Sequence, residues 1–167
     1  GEGGKQEYKW AHTSSNPFAG YAGDEMPYID QNTVVGGISE TKFIRRGDSA
    51  YVIVEGPTWE EAEANANILG GNLVTINDAE EDTFLIENFG LGYFFGLTDK
   101  AQEGNWVWSS GESVTYTNWY LNYQPDNDNG IQHYGAYHPS FGGGWDDVHN
   151  GQAGVSKGIA EIELAPN

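Results

Sequence analysis

The sequence predicts an α+β fold: one domain, with two helices set among short strands in small antiparallel sheets. Three observations carry that reading. The chain has 167 residues, the size of one domain with room for an extra arm. Its hydrophobic periodicity runs strand, helix, helix, then several strands. A stretch from about 109 to 147, rich in Gly, Asn, Asp and aromatic residues, interrupts the strands without a period of its own. Hydrophobic residues make up 38% of the chain and aromatic residues 14%, which is enough for a packed core and too much for a disordered chain.

Taken in order, residues 1–47 are punctuated by turn formers, as in Ser14-Ser15-Asn16-Pro17, yet they also carry Trp10, Phe18, Tyr21, Met26, Tyr28 and Ile29. That apolar content predicts an arm packing on a main domain of residues 48–167. Tyr51-Val52-Ile53-Val54 reads as a buried strand. Thr58 opens a helix, because Glu61 stands three residues on at capping-box spacing. Trp59, Ala62, Ala66 and Leu69 recur along one helical face, and Gly70-Gly71 ends the helix. Asn72 to Ile76 is a short strand. A second helix starts near Asn77, again with an acid three residues on, Glu80; Phe84, Leu85 and Phe89 suit its buried side. Tyr93 to Leu97 is an apolar strand, Trp106 and Trp108 alternate in another, and Gly158 to Leu164 alternates as a half-buried strand does. A loop as long as 109–147 inside a compact domain is normally functional and needs something to hold its shape. A metal is the natural candidate.

Charge narrows the partners. Seven Lys plus Arg stand against 25 Asp plus Glu, a formal net charge of −18. Nucleic acid and anionic membrane surfaces would be repelled, and no apolar run approaches a membrane span. Divalent cations are what such an excess of acid invites. The chain has no cysteine, which removes disulfides, zinc thiolate sites and thiol nucleophiles. It opens on Gly1-Glu2-Gly3-Gly4 rather than Met and reads as a module cut from a larger protein. An enzyme is not expected. No Gly-x-Ser-x-Gly elbow is present, and the adjacent Asp146 and Asp147 are ill placed to face each other across a bond, as glycosidase carboxylates do at about 5–9.5 Å.

Four pieces carry candidate chemistry: Gln124-Pro125-Asp126; Gln132-His133; Trp145-Asp146-Asp147; and Asp99 with Glu103, after Gly96-Leu97-Thr98. Apart from His133, their polar groups are hard oxygen donors, the set that calcium takes six to eight at a time. Zinc wants more nitrogen or sulfur.

These pieces resemble the landmarks of a family, the C-type lectin-like domain, over about residues 48–165. Phe94-Phe95-Gly96-Leu97 is similar to its Trp-Ile-Gly-Leu strand. Glu103-Gly104-Asn105-Trp106-Val107-Trp108 and Tyr116-Thr117-Asn118-Trp119 resemble its next two landmarks. Gln124-Pro125-Asp126 resembles one of its two sugar-selecting tripeptides, and Trp145-Asp146-Asp147 its Trp-Asn-Asp motif.

The resemblance implies a principal calcium site of Gln124, Asp126, Gln132, Asp146 and Asp147, with a cis peptide bond before Pro125. The mannose-type pattern would be Glu, Asn, Glu, Asn, Asp. Here Gln, Asp, Gln, Asp, Asp keeps three carboxylates. An auxiliary metal site would use Asp99, Glu103 and Asn127, with His133 at its remaining position. The family's disulfide partners near the loop fall at Tyr134 and Asn150, so metal must do more of the ordering, and the loop is expected to be disordered without calcium. Sugar contacts would come from Gln124, Asp126, Gln132, Asp146 and His133. Glutamine first and aspartate third is the galactose-type order; no aromatic residue follows in Asn127 to Ile131, which keeps fucose as a rival. The expected partners are therefore fucosylated or galactosylated cell-surface glycans, with neither nucleic acid nor membrane insertion. The module itself is expected to be a monomer. Cysteine-free, very acidic modules of this type resemble the ligand-binding domains of large bacterial calcium-dependent adhesins of the RTX type, which implies an extracellular, cell-surface location and a role in adhesion. A calcium-dependent peptide- or protein-binding module is the alternative from another class. A metal-stabilised spacer is a third.

Overall fold

A computed structural model describes residues 8–9 and 43–166. Trp10, Phe18, Tyr21, Met26, Tyr28 and Ile29, on which the packing arm was argued, lie outside those residues. Tyr8–Lys9 (β1) pairs with Ala165–Pro166 (β10) near the end of the chain.

The domain is built on an eight-stranded sheet. Ile44–Arg46 (β2) forms a hairpin with Ser49–Glu55 (β3), and β3 pairs along its whole length with Lys157–Glu163 (β9). Next to β9 come Tyr93–Thr98 (β5), Tyr134–Tyr137 (β7) and Trp145–Val148 (β8). Asn72–Leu73 (β4) joins β9, and Val107–Trp108 (β6) joins β5. The β5–β9 pairing is parallel and the others are antiparallel, so the sheet is larger and more mixed than small antiparallel sheets.

Both helices start where a side chain satisfies an orphan amide. Thr58 caps α1 (Trp59–Ile68), its hydroxyl accepting the Glu61 N–H at 3.1 Å. Leu69 ends the helix. The Gly70 and Gly71 amides then bond back to Asn67 and Ala66 in a Schellman motif, with Gly70 at φ 89°. For α2 (Ala79–Phe89) the cap is Asp78, one residue later than expected, because Asp78 is the residue in extended conformation and its carboxylate accepts the Glu81 N–H at 2.8 Å.

Two apolar layers sandwich the sheet. Ala50, Val52 and Val54 of β3 face α1 with Trp59, Ala62 and Ala66. Tyr51 and Ile53 face the other way, with Leu85 of α2, Phe95, Trp108 and Trp145. Two strand expectations change as a result. The closing strand is half-buried only over its second half: Ile162 is covered between the partly covered Glu161 and the exposed Glu163, but Gly158, Ile159 and Ala160 are all covered, because β9 has a layer on each face there. The ladder at Asn72 stops at Leu73, although Val74, Thr75 and Ile76 continue buried and the Val74 amide still bonds to Ile159. Gly96 is needed where β5 crosses this segment, since a Cβ there would lie 2.6 Å from the Leu73 carbonyl oxygen.

The stretch 109–147 is not one structureless loop. It contains all of β7 and most of β8, which pair from Tyr134–Val148 to Tyr137–Trp145. The irregular part is therefore split, and its longest piece runs from 109 to 133, with two single turns at Tyr120–Asn122 and Asp128–Gly130. Among the described residues no helix is long and apolar enough to cross a membrane.

Candidate functional site

Asp146 and Asp147 sit on β8, which is buried along its length. Strand alternation turns neighbouring side chains to opposite faces, yet both carboxylates and that of Asp126 converge, with one oxygen from each within 4.8 Å of the others. Asp147 is fully buried. Its two oxygens accept the N–H groups of Asp126 at 3.1 Å and Asn127 at 2.6 Å, so this one side chain ties the loop to the sheet. The peptide bond between Gln124 and Pro125 is cis.

The two glutamines line the same loop. Gln124 Oε1 accepts the Asp126 N–H at 3.1 Å, and Gln132 Oε1 accepts the Asp128 N–H at 2.8 Å. A backbone N–H can only donate, so each amide is oriented with its oxygen to the backbone and its NH2 free to donate. Asn127, at φ 48°, closes the turn by accepting the Gln132 N–H on Oδ1 at 3.1 Å.

Burial and like charge act together at this centre. Burial first, then the charge of Asp147 and that of Asp126, push the Asp146 carboxyl up to about 7. Burial also raises Asp147, against the two loop amides that favour its charged form. Asp146 Oδ1 is buried without a hydrogen-bond partner among the described residues. A buried acceptor left unmet beside two more carboxylates is costly for the bare protein, and a divalent cation relieves it. The donors are oxygens, which fits calcium.

The second acidic group also assembles. Asp99, at the end of β5, is buried, while Glu103 is exposed. Nδ1 of His133 lies 3.0 Å from Asp99 Oδ1 and 3.2 Å from Glu103 Oε1. The ring nitrogen of His133 is thus turned toward these acids. Asn127, expected with them, has its side-chain oxygen engaged by Gln132 instead.

One carboxylate escaped the sequence reading. Asp82 of α2 is 3% exposed. Tyr137 O–H and Trp145 Nε1–H (3.2 Å) donate to its Oδ1; Tyr116 O–H and Asn118 Nδ2–H, both at 3.0 Å, donate to Oδ2. Asn118 in turn accepts the Trp145 N–H at 2.9 Å. Asp82 therefore anchors both chain segments that lead into the site, the one before Gln124 and the one before Asp146. The only signal in the sequence was an acid on a helix whose neighbours read as exposed. Its four donors come from residues 34 to 63 positions away.

Known proteins resemble this chain in sequence and in fold. A family model described as "Lectin C-type domain" matches residues 55–152. A perlucin-like protein of Mytilus galloprovincialis is 31% identical over 101 residues, 56% of this chain and 64% of that protein. An alpha-N-acetylgalactosamine-specific lectin of Patiria pectinifera is 36% identical over 83 residues, 43% of this chain and 49% of that protein. The chain thus spans less than two thirds of these curated relatives, both of them animal proteins. Among solved structures, the carbohydrate-recognition domain of the mouse scavenger receptor C-type lectin matches with TM-score 0.63 and 28% identity, covering 72% of this chain and 93% of that one. The C-type lectin CEL-I of Cucumaria echinata matches with TM-score 0.62 and 26% identity, covering 77% and 98%.

Proposed function

Because the chain belongs to the C-type lectin domain family, a family of binding modules rather than enzymes, we propose that it binds carbohydrate through a calcium ion held by Gln124, Asp126, Gln132, Asp146 and Asp147. The observation that carries this is the buried, unpartnered Asp146 oxygen beside the Asp126 and Asp147 carboxylates. A bound calcium ion supplies coordination positions that two vicinal sugar hydroxyls fill in place of water. The protein's own groups then select the sugar. The Gln124 and Gln132 NH2 groups, freed by the orientation of their oxygens, donate to hydroxyl oxygens; Asp126 and Asp146 accept hydroxyl protons.

Amide before acid at Gln124 and Asp126 favours an equatorial–axial pair of hydroxyls, as in galactose, with fucose the rival. The Patiria relative is by name specific for alpha-N-acetylgalactosamine, a galactose-configured sugar. His133 Nδ1 faces Asp99 and Glu103 in this arrangement, which leaves any contact with the sugar to the rest of its ring. A single sugar buries little surface, so affinity should be high micromolar to millimolar, and useful adhesion needs many copies. The large acid excess and the lack of cysteine support placing the module at the cell surface, in a calcium-dependent adhesin of the bacterial kind.

A glycan array with and without chelator, repeated on Asp147→Ala and on the exposed Asp126→Ala, tests this. Galactosylated or fucosylated glycans should bind only with calcium and only to the parent chain. Silence on every glycan from a folded protein whose melting temperature still rises with calcium would move the reading to a peptide-binding module.

A further inference from the structure

The position where the family resemblance puts an auxiliary calcium holds an imidazole nitrogen among its oxygens here. Calcium takes six to eight oxygen ligands. Asp99 and Glu103 bring one oxygen each and His133 a ring nitrogen, all within 4.8 Å of one another. The nitrogen stands 3.0 Å and 3.2 Å from the two oxygens. Ligands placed tetrahedrally at 2.0–2.1 Å from an ion stand about 3.4 Å apart. One imidazole with two carboxylates, close to that spacing, is a donor set for zinc-class ions. It is a poor one for calcium.

Two of the three ligands are preset by the fold. The His133 carbonyl accepts the Asp99 N–H at 3.1 Å and the Thr98 hydroxyl at 2.7 Å, which locks the end of β5 against the residue before β7. Asp99 is 1% exposed. The third group, Glu103, is exposed and free to adjust.

We propose that Asp99, Glu103 and His133 form a second metal site that takes a first-row divalent transition ion of the zinc class in preference to calcium. The site goes beyond the glycan-binding reading and does not depend on it. Its consequence for the loop is mechanical: Gln132, a wall of the principal centre, immediately precedes His133, so an ion here braces that wall from behind.

The test uses the full chain held at saturating calcium. Zinc is titrated by calorimetry and Co2+ by visible absorption, for the parent, His133→Gln and Asp99→Asn. One equivalent of zinc, cobalt d–d bands, a higher melting temperature, and a loss of affinity of roughly tenfold or more in both variants are expected. Zinc binding that survives His133→Gln, and so resides at another histidine, overturns the proposal. So does the lack of saturable zinc binding, which leaves the cluster an ion pair only. A second calcium equivalent removed by Asp99→Asn and untouched by His133→Gln overturns it as well. Calcium affinity of the principal centre is measured in parallel on Asp126→Ala. Zinc binding kept while the parent fails to bind calcium sinks the lectin reading and leaves this one standing.

Discussion

Asp82 is solvated in the core by four neutral donors. Replacing it with alanine leaves Tyr137 O–H and Trp145 Nε1–H buried without an acceptor, at about 1–3 kcal/mol each. Asp82→Ala should therefore cost about 3–5 kcal/mol in chemical denaturation and also weaken calcium binding, because both approaches to the site lose their anchor. Asp82→Asn, which keeps one acceptor, should fall between. Glu161 carries a prediction of the other kind. Burial first, then the charge of Glu81, raise its carboxyl to about 7. The folded state holds this proton where the unfolded chain has released it, so its contribution is fully present below the ordinary glutamate range and is lost as pH rises toward and through about 7. The loss is on the order of 3 kcal/mol. Glu161→Gln should match the parent near pH 4–5 and melt several degrees higher at pH 8, read from melting curves across that range.

At the scale of elements, the part of the loop between β6 and β7 that lies beyond its anchor at Asn118 hangs on few ties. Asp147 holds the Asp126 and Asn127 amides, and the Asn127–Gln132 and Gln132–Asp128 bonds close the turn. Four residues in this loop have positive φ without being glycine: Leu121, Asn122, Asn127 and Asn129. Such residues persist only where their surroundings over-determine them. Removing calcium should thus raise hydrogen exchange and proteolysis between about 118 and 133, while amides of the paired strands β3 and β9 stay protected. Equal protection with and without chelator would mean that the hydrogen bonds alone hold the loop.

For the whole molecule the dominant fact is the net charge of −18. Mutual repulsion of that size destabilises the compact state and is screened by salt, since the Debye length falls from about 30 Å at 0.01 M to about 8 Å at 0.15 M. The melting temperature should rise with sodium chloride over this range even in chelator, and rise further, at far lower concentration, with calcium. A rise with calcium no greater than screening produces would count against specific sites.

The elements with local signals were legible in advance. Thr58 and Glu61, the Gly70-Gly71 stop and the apolar run of β3 need only neighbours a few residues away, and they fold as read. Gln124-Pro125-Asp126 and Trp145-Asp146-Asp147 were legible as motifs, and the carboxylates Asp126, Asp146 and Asp147 do come together. What the tertiary structure alone decided depends on distant partners. β7 has a weak strand signal in Tyr134-Gly135-Ala136-Tyr137 and exists because β5 and β8 flank it. β9 reads as half-buried by itself, and its stretch from Gly158 to Ala160 is covered on both faces because it lies inside the sheet. Asp82 becomes an anchor, and His133 a neighbour of Asp99, only when segments 34 to 63 residues apart are packed together. Periodicity and capping are written within one or two turns of chain. The environment of a buried charge is written across the whole fold, and no window of sequence contains it.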